Sequence, residues 1–194
     1  MILSNKGIKE ALDGGEIVID PPPEDNHYDT SSVDLMLGDD FQMWDKSRLD
    51  QKGVDIVLNL AEQQFPETAK NYLVNAPVQD GCLTIPPYRE HPWHFLGQTR
   101  SRIALNREHR IAARVEGKSS LARLGLIVHL TAPVIHCGFR GHIALELINF
   151  GPFSIKLVPN RTRICQLVFE RVETEVVGEP TTTFMDQRRP GGTH

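Results

Sequence analysis

Two short stretches of this chain carry side chains spaced for chemistry. In residues 117–125, GKSSLARLG, Gly117 and Gly125 bracket the apolar pair Leu121 and Leu124, a spacing that predicts about two turns of helix with a glycine at each end. Ser119 and Ser120 fall at its N-terminus, where main-chain N–H groups lack intrahelical partners and the helix dipole is positive. Lys118 and Arg123 add cationic donors, and the set suits the oxygens of a phosphate chain. A capped surface helix with solvated cations is the alternative from these residues alone. The second stretch, GHIALELIN at residues 141–149, alternates. It puts Ile143, Leu145 and Leu147 on one face and His142, Ala144, Glu146 and Ile148 on the other, which predicts a strand. Glu146 is flanked on its own face by Ala144 and Ile148, and a lone carboxylate so placed is a candidate general base and acid. A solvent-facing strand glutamate is the alternative, and the neighbouring phosphate-type helix argues against it.

Both stretches need a scaffold, and the pattern around them is one of many short strands punctuated by Gly and Pro. Ser4, followed by Ile8, Ala11 and Leu12 and stopped by Gly14 and Gly15, predicts one N-terminal helix. EIVID, SVDLML, FQMW, LTI, HFLG, RIAARV, LIVHL, HIALELIN, SIKLV and RICQLVF read as strands. The expected fold is mainly β, a double-sheet or distorted-barrel domain with two or three short helices. Residues 45–77 are the least regular and read as an insertion or long excursion rather than a second domain.

With 194 residues, 40% of them hydrophobic, the chain can bury one sizeable core, and a single domain over 1–194 is the simplest division. The formal charge of -4, with no basic tract, argues against general nucleic-acid binding, which relies on clustered Lys and Arg. No apolar run reaches the ~20 residues of a membrane span, and the N-terminus lacks a signal-peptide pattern, so no membrane partner and a cytoplasmic location are expected. Cys82, Cys137 and Cys165 are widely spaced, which suits reduced thiols better than a disulfide framework.

GKSSLARLGLIVHLTA, GFRG, LEL with a following Asn, and RICQLVFE occur in that order, and together they resemble the dCTP deaminase branch of the dUTPase-like superfamily. ILSNKGIKEAL near the N-terminus, SVDLMLG at 32–38 and LTIPPY at 83–88 extend the resemblance over most of the chain. It implies a dUTPase-like fold, a homotrimer with sites between subunits, and hydrolytic deamination of dCTP to dUTP and ammonia in pyrimidine deoxynucleotide metabolism. Glu146 matches the family's general base and acid. Lys118, Ser119, Ser120 and Arg123 match its triphosphate-binding element, although the family usually has Arg where Lys118 stands, and Lys lacks the planar fork. Ala144 and Leu145 match main-chain positions that read base and sugar. Magnesium would ride on the triphosphate. No catalytic zinc is expected, because neither the H-x-E nor the P-C-x-x-C element of zinc deaminases occurs, and His136 with Cys137 lacks further ligands at metal spacing.

Three features bear on the product and the tail. Thr131 and Ala132 resemble the deaminase-only subgroup. His136 stands where the family carries an Asp that faces the sugar and, in dUTPases, the attacking water. Both favour dUTP as the product released; a bifunctional deaminase and dUTP diphosphatase giving dUMP, or a non-catalytic nucleotide-binding relative, are the alternatives. Phe139 keeps the family's aromatic position against deoxyribose, and a core aromatic beside a glycine turn is its other reading. Residues 184–190, FMDQRRP, resemble a C-terminal lid, expected as mobile over about 180–194, with Gln187 as its polar contact.

Overall fold

The computed structural model describes residues 1–50, 56–62, 65–92, 94–178 and 184–192. In chain order the elements are α1 (Asn5–Asp13), β1 (Ile17–Asp20), β2 (Val33–Met36), β3 (Gln42–Trp44), α2 (Lys46–Asp50), α3 (Phe65–Tyr72), β4 (Leu73–Asn75), β5 (Leu83–Ile85) and β6 (Phe95–Leu105). They continue as β7 (Ile111–Gly117), α4 (Ser119–Arg123), β8 (Leu126–Ile127), β9 (Val134–Ile135), β10 (Arg140–Asn149), β11 (Ile155–Leu157) and β12 (Arg163–Arg171). Helix α1 starts where Ser4 accepts from the Gly7 N–H at 3.2 Å and lays Ile8 and Ala11 into the core.

The strands form a six-stranded, a four-stranded and a two-stranded sheet. The long strand β6 organises the first. One of its edges carries β1 along Arg102 to Leu105 and β3 at Phe95 and Leu96, and its other edge carries β10. The four-stranded sheet runs β2-β12-β7-β9. Alternation turns Ile111, Ala113 and Val115 of β7, Leu167 and Phe169 of β12 and Ile143, Leu145 and Leu147 of β10 into one shared core. Burying each large side chain contributes about 1.5–3 kcal/mol, so this face fixes which β10 residues point away from the core, Glu146 among them.

The mainly β architecture of antiparallel sheets with a few short helices matches the sequence expectation, with three differences. Strand β6 continues through Leu105, beyond the HFLG segment where hydrophobic alternation ends. Four α-helices, not two or three, are present among the described residues, because the 45–77 excursion folds as α2, α3 and β4, and β4 pairs with β3. The strand expected at LIVHL is only two residues long, since the chain turns away after Ile127. Residues 51–55 and 63–64 of the excursion and 180–183 and 193–194 of the expected lid lie outside the described residues.

Candidate active site

A cleft of about 550 Å³ opens on the outward face of β10. Ala144 and Glu146 from β10, Ala132 and His136 from the loops around β9, Phe139 before β10 and Gln187 from the tail line it together. Six of the residues singled out from sequence are thus brought to one place. His136 and Phe139 arrive through a tight turn in which the Phe139 N–H donates to the His136 carbonyl at 3.0 Å and Gly138 takes φ +90°, a conformation that favours glycine. Phe139 both lines the cleft and packs on the core, so its two sequence readings coexist.

The half-buried Glu146 side chain is held by one main-chain donor: the Leu130 N–H reaches Oε2 at 3.1 Å. Opposite β10, His94 shares the cleft. Burial pushes its imidazole below the ordinary histidine value, against the opposing pull of the Glu146 charge. Its Nε2 accepts from Trp44 Nε1 at 3.3 Å, which assigns the neutral ring's proton to Nδ1. Two further polar atoms at the cleft, His129 Nδ1 and Gln187 Oε1, are buried without a hydrogen-bond partner among the described residues. Such atoms are uncommon in folded proteins.

The tail docks on the edge of β10 that faces away from β6. The Asp186 N–H donates to the Arg140 carbonyl at 2.9 Å and Gln187 Nε2 to the His142 carbonyl at 2.8 Å. Because Ile143 turns its N–H toward β6, alternation turns residues 140, 142, 144 and 146 outward. The tail covers the first two of these, β8 pairs beyond at Ile148, and the main-chain groups of Ala144 and Glu146 lie between, at the cleft. Side chains lock the tail down. Asp186 bridges Arg140 at 2.7 Å and Arg102 at 2.8 Å, which hold its carboxyl below the usual range. Arg189 forks onto Asp40 at 2.8 and 3.1 Å, and the Gly191 N–H donates to Gln42 Oε1 at 2.7 Å. Arg189 is therefore an anchor rather than part of a solvated end.

The phosphate-type element stands apart from this cleft. Ser119, Ser120 and Arg123 of α4 are exposed, and none of them, nor Lys118, lines it. The Lys118 ammonium is instead paired with Asp34 on β2, which also meets Arg163 at 3.6 Å. Gly125 ends α4 at φ +91°, and a Cβ there would lie 2.2 Å from the Gly151 nitrogen, so α4 is held against the loop that follows β10. Thr131 is exposed and lies outside the cleft lining, and the Leu145 side chain is fully buried on the core side.

Phe184, the first residue of the expected lid motif, also lines the cleft, together with Phe65, His94 and His129, which the sequence did not single out. Phe65 comes from α3 of the excursion and meets Phe184 of the tail edge-on, ring centres 5.7 Å apart. The only local signal is a lone aromatic among polar residues at Phe65 and a lone imidazole among apolar residues at His94 and His129.

The model of a family described as dCTP deaminase-like matches residues 2–172. A protein of Methanosphaera stadtmanae named dCTP deaminase, dUMP-forming is 40% identical over 171 residues, which is 87% of this chain and 78% of that one. A protein of Methanobrevibacter smithii bearing the same name is 36% identical over 97% of this chain and 92% of its own. A crystal structure of 2'-deoxycytidine 5'-triphosphate deaminase from Agrobacterium tumefaciens superposes with a TM-score of 0.63. At 16% identity it is a likeness of fold, covering 88% of this chain and 48% of that longer one.

Proposed function

The chain belongs to the dCTP deaminase-like family, and we propose that it hydrolyses the exocyclic amino group of dCTP with Glu146 as general base and acid. The observation that carries this is Glu146 itself. Among the described residues it is the one acid lining the cleft, and its carboxylate is fixed by the Leu130 N–H. In this reading Glu146 takes a proton from a water attacking C4 of the cytosine, passes it to N3, and assists departure of ammonia. One carboxylate serves both steps because they are sequential. Water and dCTP thereby give dUTP and ammonia, with the new C4–O bond replacing C4–N.

Main-chain groups of Ala144, with Ala132, His136, Phe139 and Gln187, would hold base and sugar. Lys118, Ser119, Ser120 and Arg123 would hold the triphosphate, with magnesium carried by the nucleotide and no metal held by protein ligands. Since α4 stands off the cleft of its own chain, this reading favours a homotrimer in which a neighbouring copy completes the site. Among the described residues no helix is long and apolar enough to cross a membrane; a cytoplasmic location and the absence of nucleic-acid partners belong to the proposal.

The product is revised from the expectation drawn from Thr131, Ala132 and His136. Both relatives are named dUMP-forming, and their similarity over most of the chain supports dUMP as the product released, a second water hydrolysing the bond between the α- and β-phosphates of the dUTP first formed to give dUMP and diphosphate. The test is incubation of the purified protein with dCTP, dUTP and CTP plus magnesium, following ammonia, dUTP, dUMP and diphosphate. Ammonia and dUMP from dCTP would support the full reading, whereas accumulating dUTP would restore the deaminase-only one. Binding without turnover would leave a non-catalytic nucleotide-binding relative.

A further inference from the structure

Strand β6 breaks the regular ladder at one place, directly beside the stretch of β10 that carries Glu146. His142 pairs with Arg102 and Ala144 with Gln98, so a single residue of β10, Ile143, faces Thr99, Arg100 and Ser101 of β6. Extra residues on one strand of an antiparallel pair leave ladder groups unmatched and re-aim the side chains beyond. Here one fully buried side chain takes up the mismatch. Thr99 Oγ1 accepts from the Ile143 N–H at 3.1 Å and donates to the Ser101 carbonyl at 2.9 Å. Its own carbonyl meets Nδ1 of His142 at 3.0 Å.

From this observation we propose that Thr99 is a positioning residue for Glu146. Beyond the irregularity the ladder is regular again, Ala144 with Gln98, Leu145 with Gly97 and Glu146 with Leu96. The height of Glu146 along β6 is therefore set by how residues 99–101 are absorbed. Thr99 is itself fixed from behind, where Leu37 bridges to it and the Gly38 N–H donates to the Gln98 carbonyl at 2.8 Å. A Cβ at Gly38 would lie 3.0 Å from that carbonyl and 3.2 Å from the Thr99 carbonyl, so the backing segment packs directly against residues 98 and 99. Thr99 does not line the cleft. It acts only through the register, and removing its hydroxyl leaves the Ile143 N–H buried without an acceptor, a penalty that a shifted ladder relieves.

This inference rests on Glu146 being the general base, and its test separates the two. Thr99→Val keeps shape and loses both hydrogen bonds, while Thr99→Ser keeps them. With dCTP as substrate, Thr99→Val is expected to lower kcat about tenfold or more with KM within about threefold, and Thr99→Ser to restore at least about half of wild-type kcat. Hydrogen exchange at the Ile143 amide should accelerate in the valine variant and return in the serine one. If the valine chain does not fold, Thr99→Ala carries the same two readouts. Wild-type kcat in the valine variant, or a serine variant no better than valine, would overturn the proposal. A wild-type protein that does not turn over dCTP counts against the proposed function instead. Exchange at Ile143 and at Leu130, whose N–H donates to Glu146 Oε2, then decides the positioning alone: acceleration at both, rescued by serine, supports it, and unchanged exchange at Leu130 overturns it.

Discussion

Gln187 and His142, far apart in sequence, meet at 2.8 Å, the side-chain amide of the first donating to the main-chain carbonyl of the second. The bond does two things at once. It extends the tail's main-chain contact at Arg140 by one more outward-facing position of β10, and it fixes the amide's orientation, so that Oε1 is the atom left buried and unpaired at the cleft. Gln187 thus ties the tail directly to the strand that carries Glu146.

Gln187→Leu should fill similar space while removing both functions. A lost hydrogen bond to a buried carbonyl is worth about 1 kcal/mol or somewhat more, so kcat/KM for dCTP should fall roughly tenfold. Steady-state kinetics alongside hydrogen exchange of the tail would check this. Unchanged kinetics with a loosened tail would remove Gln187 from the site.

Glu146→Gln keeps the shape of the side chain and an oxygen to accept from the Leu130 N–H, but it cannot take a proton. Deamination should fall by at least about 10²-fold, while dCTP binding, followed by calorimetry, stays within about threefold of wild type. Wild-type turnover in this variant would exclude Glu146 as the base.

How much of this was legible in the sequence depends on the range of the forces involved. Strands β7, β10, β11 and β12 announce themselves because each buries one face, and their alternation is local. The second half of β6 does not, because its buried positions Thr99 and Ser101 are polar, so the alternation with Arg100 and Arg102 is not a hydrophobic one. Glu146, Ala144, Ala132, His136, Phe139 and Gln187 were recoverable from the family resemblance. The Lys118 to Asp34 pair, with partners 84 residues apart, and the Arg189 to Asp40 anchor are tertiary contacts that leave no local trace. The same holds for Phe65, which reaches the cleft only because β4 pairs with β3 and brings the excursion back.

The tail's grip should depend on acid. Arg140 and Arg102 hold the Asp186 carboxyl below its ordinary value, so their contribution is present above the unfolded pKa of about 4 and is lost as pH falls through the lower folded value. Hydrogen exchange of the tail, corrected for intrinsic rates, should show opening only below about pH 4. Asp186→Asn should loosen the tail at neutral pH and reduce the acid step, the Arg189 to Asp40 ion pair remaining. A wild-type tail indifferent to acid would mean that the Asp186 ion pairs do not hold it.

His94 predicts a second dependence at milder pH. Burial lowers its folded pKa beneath the ordinary value of about 6.5, so as pH falls the unfolded chain takes up this proton first. The stability that neutral His94 contributes is full above about 6.5, declines below it, and levels off beneath the folded value. His94→Gln offers an uncharged acceptor to Trp44 Nε1 and has no proton to gain. Urea midpoints compared between about pH 7.5 and about pH 5.5 should therefore fall more in wild type than in the variant. Equal falls would show that His94 is not responsible. The consequence for the site is electrostatic. A neutral imidazole at His94 places no positive charge of its own beside Glu146 in the cleft they share.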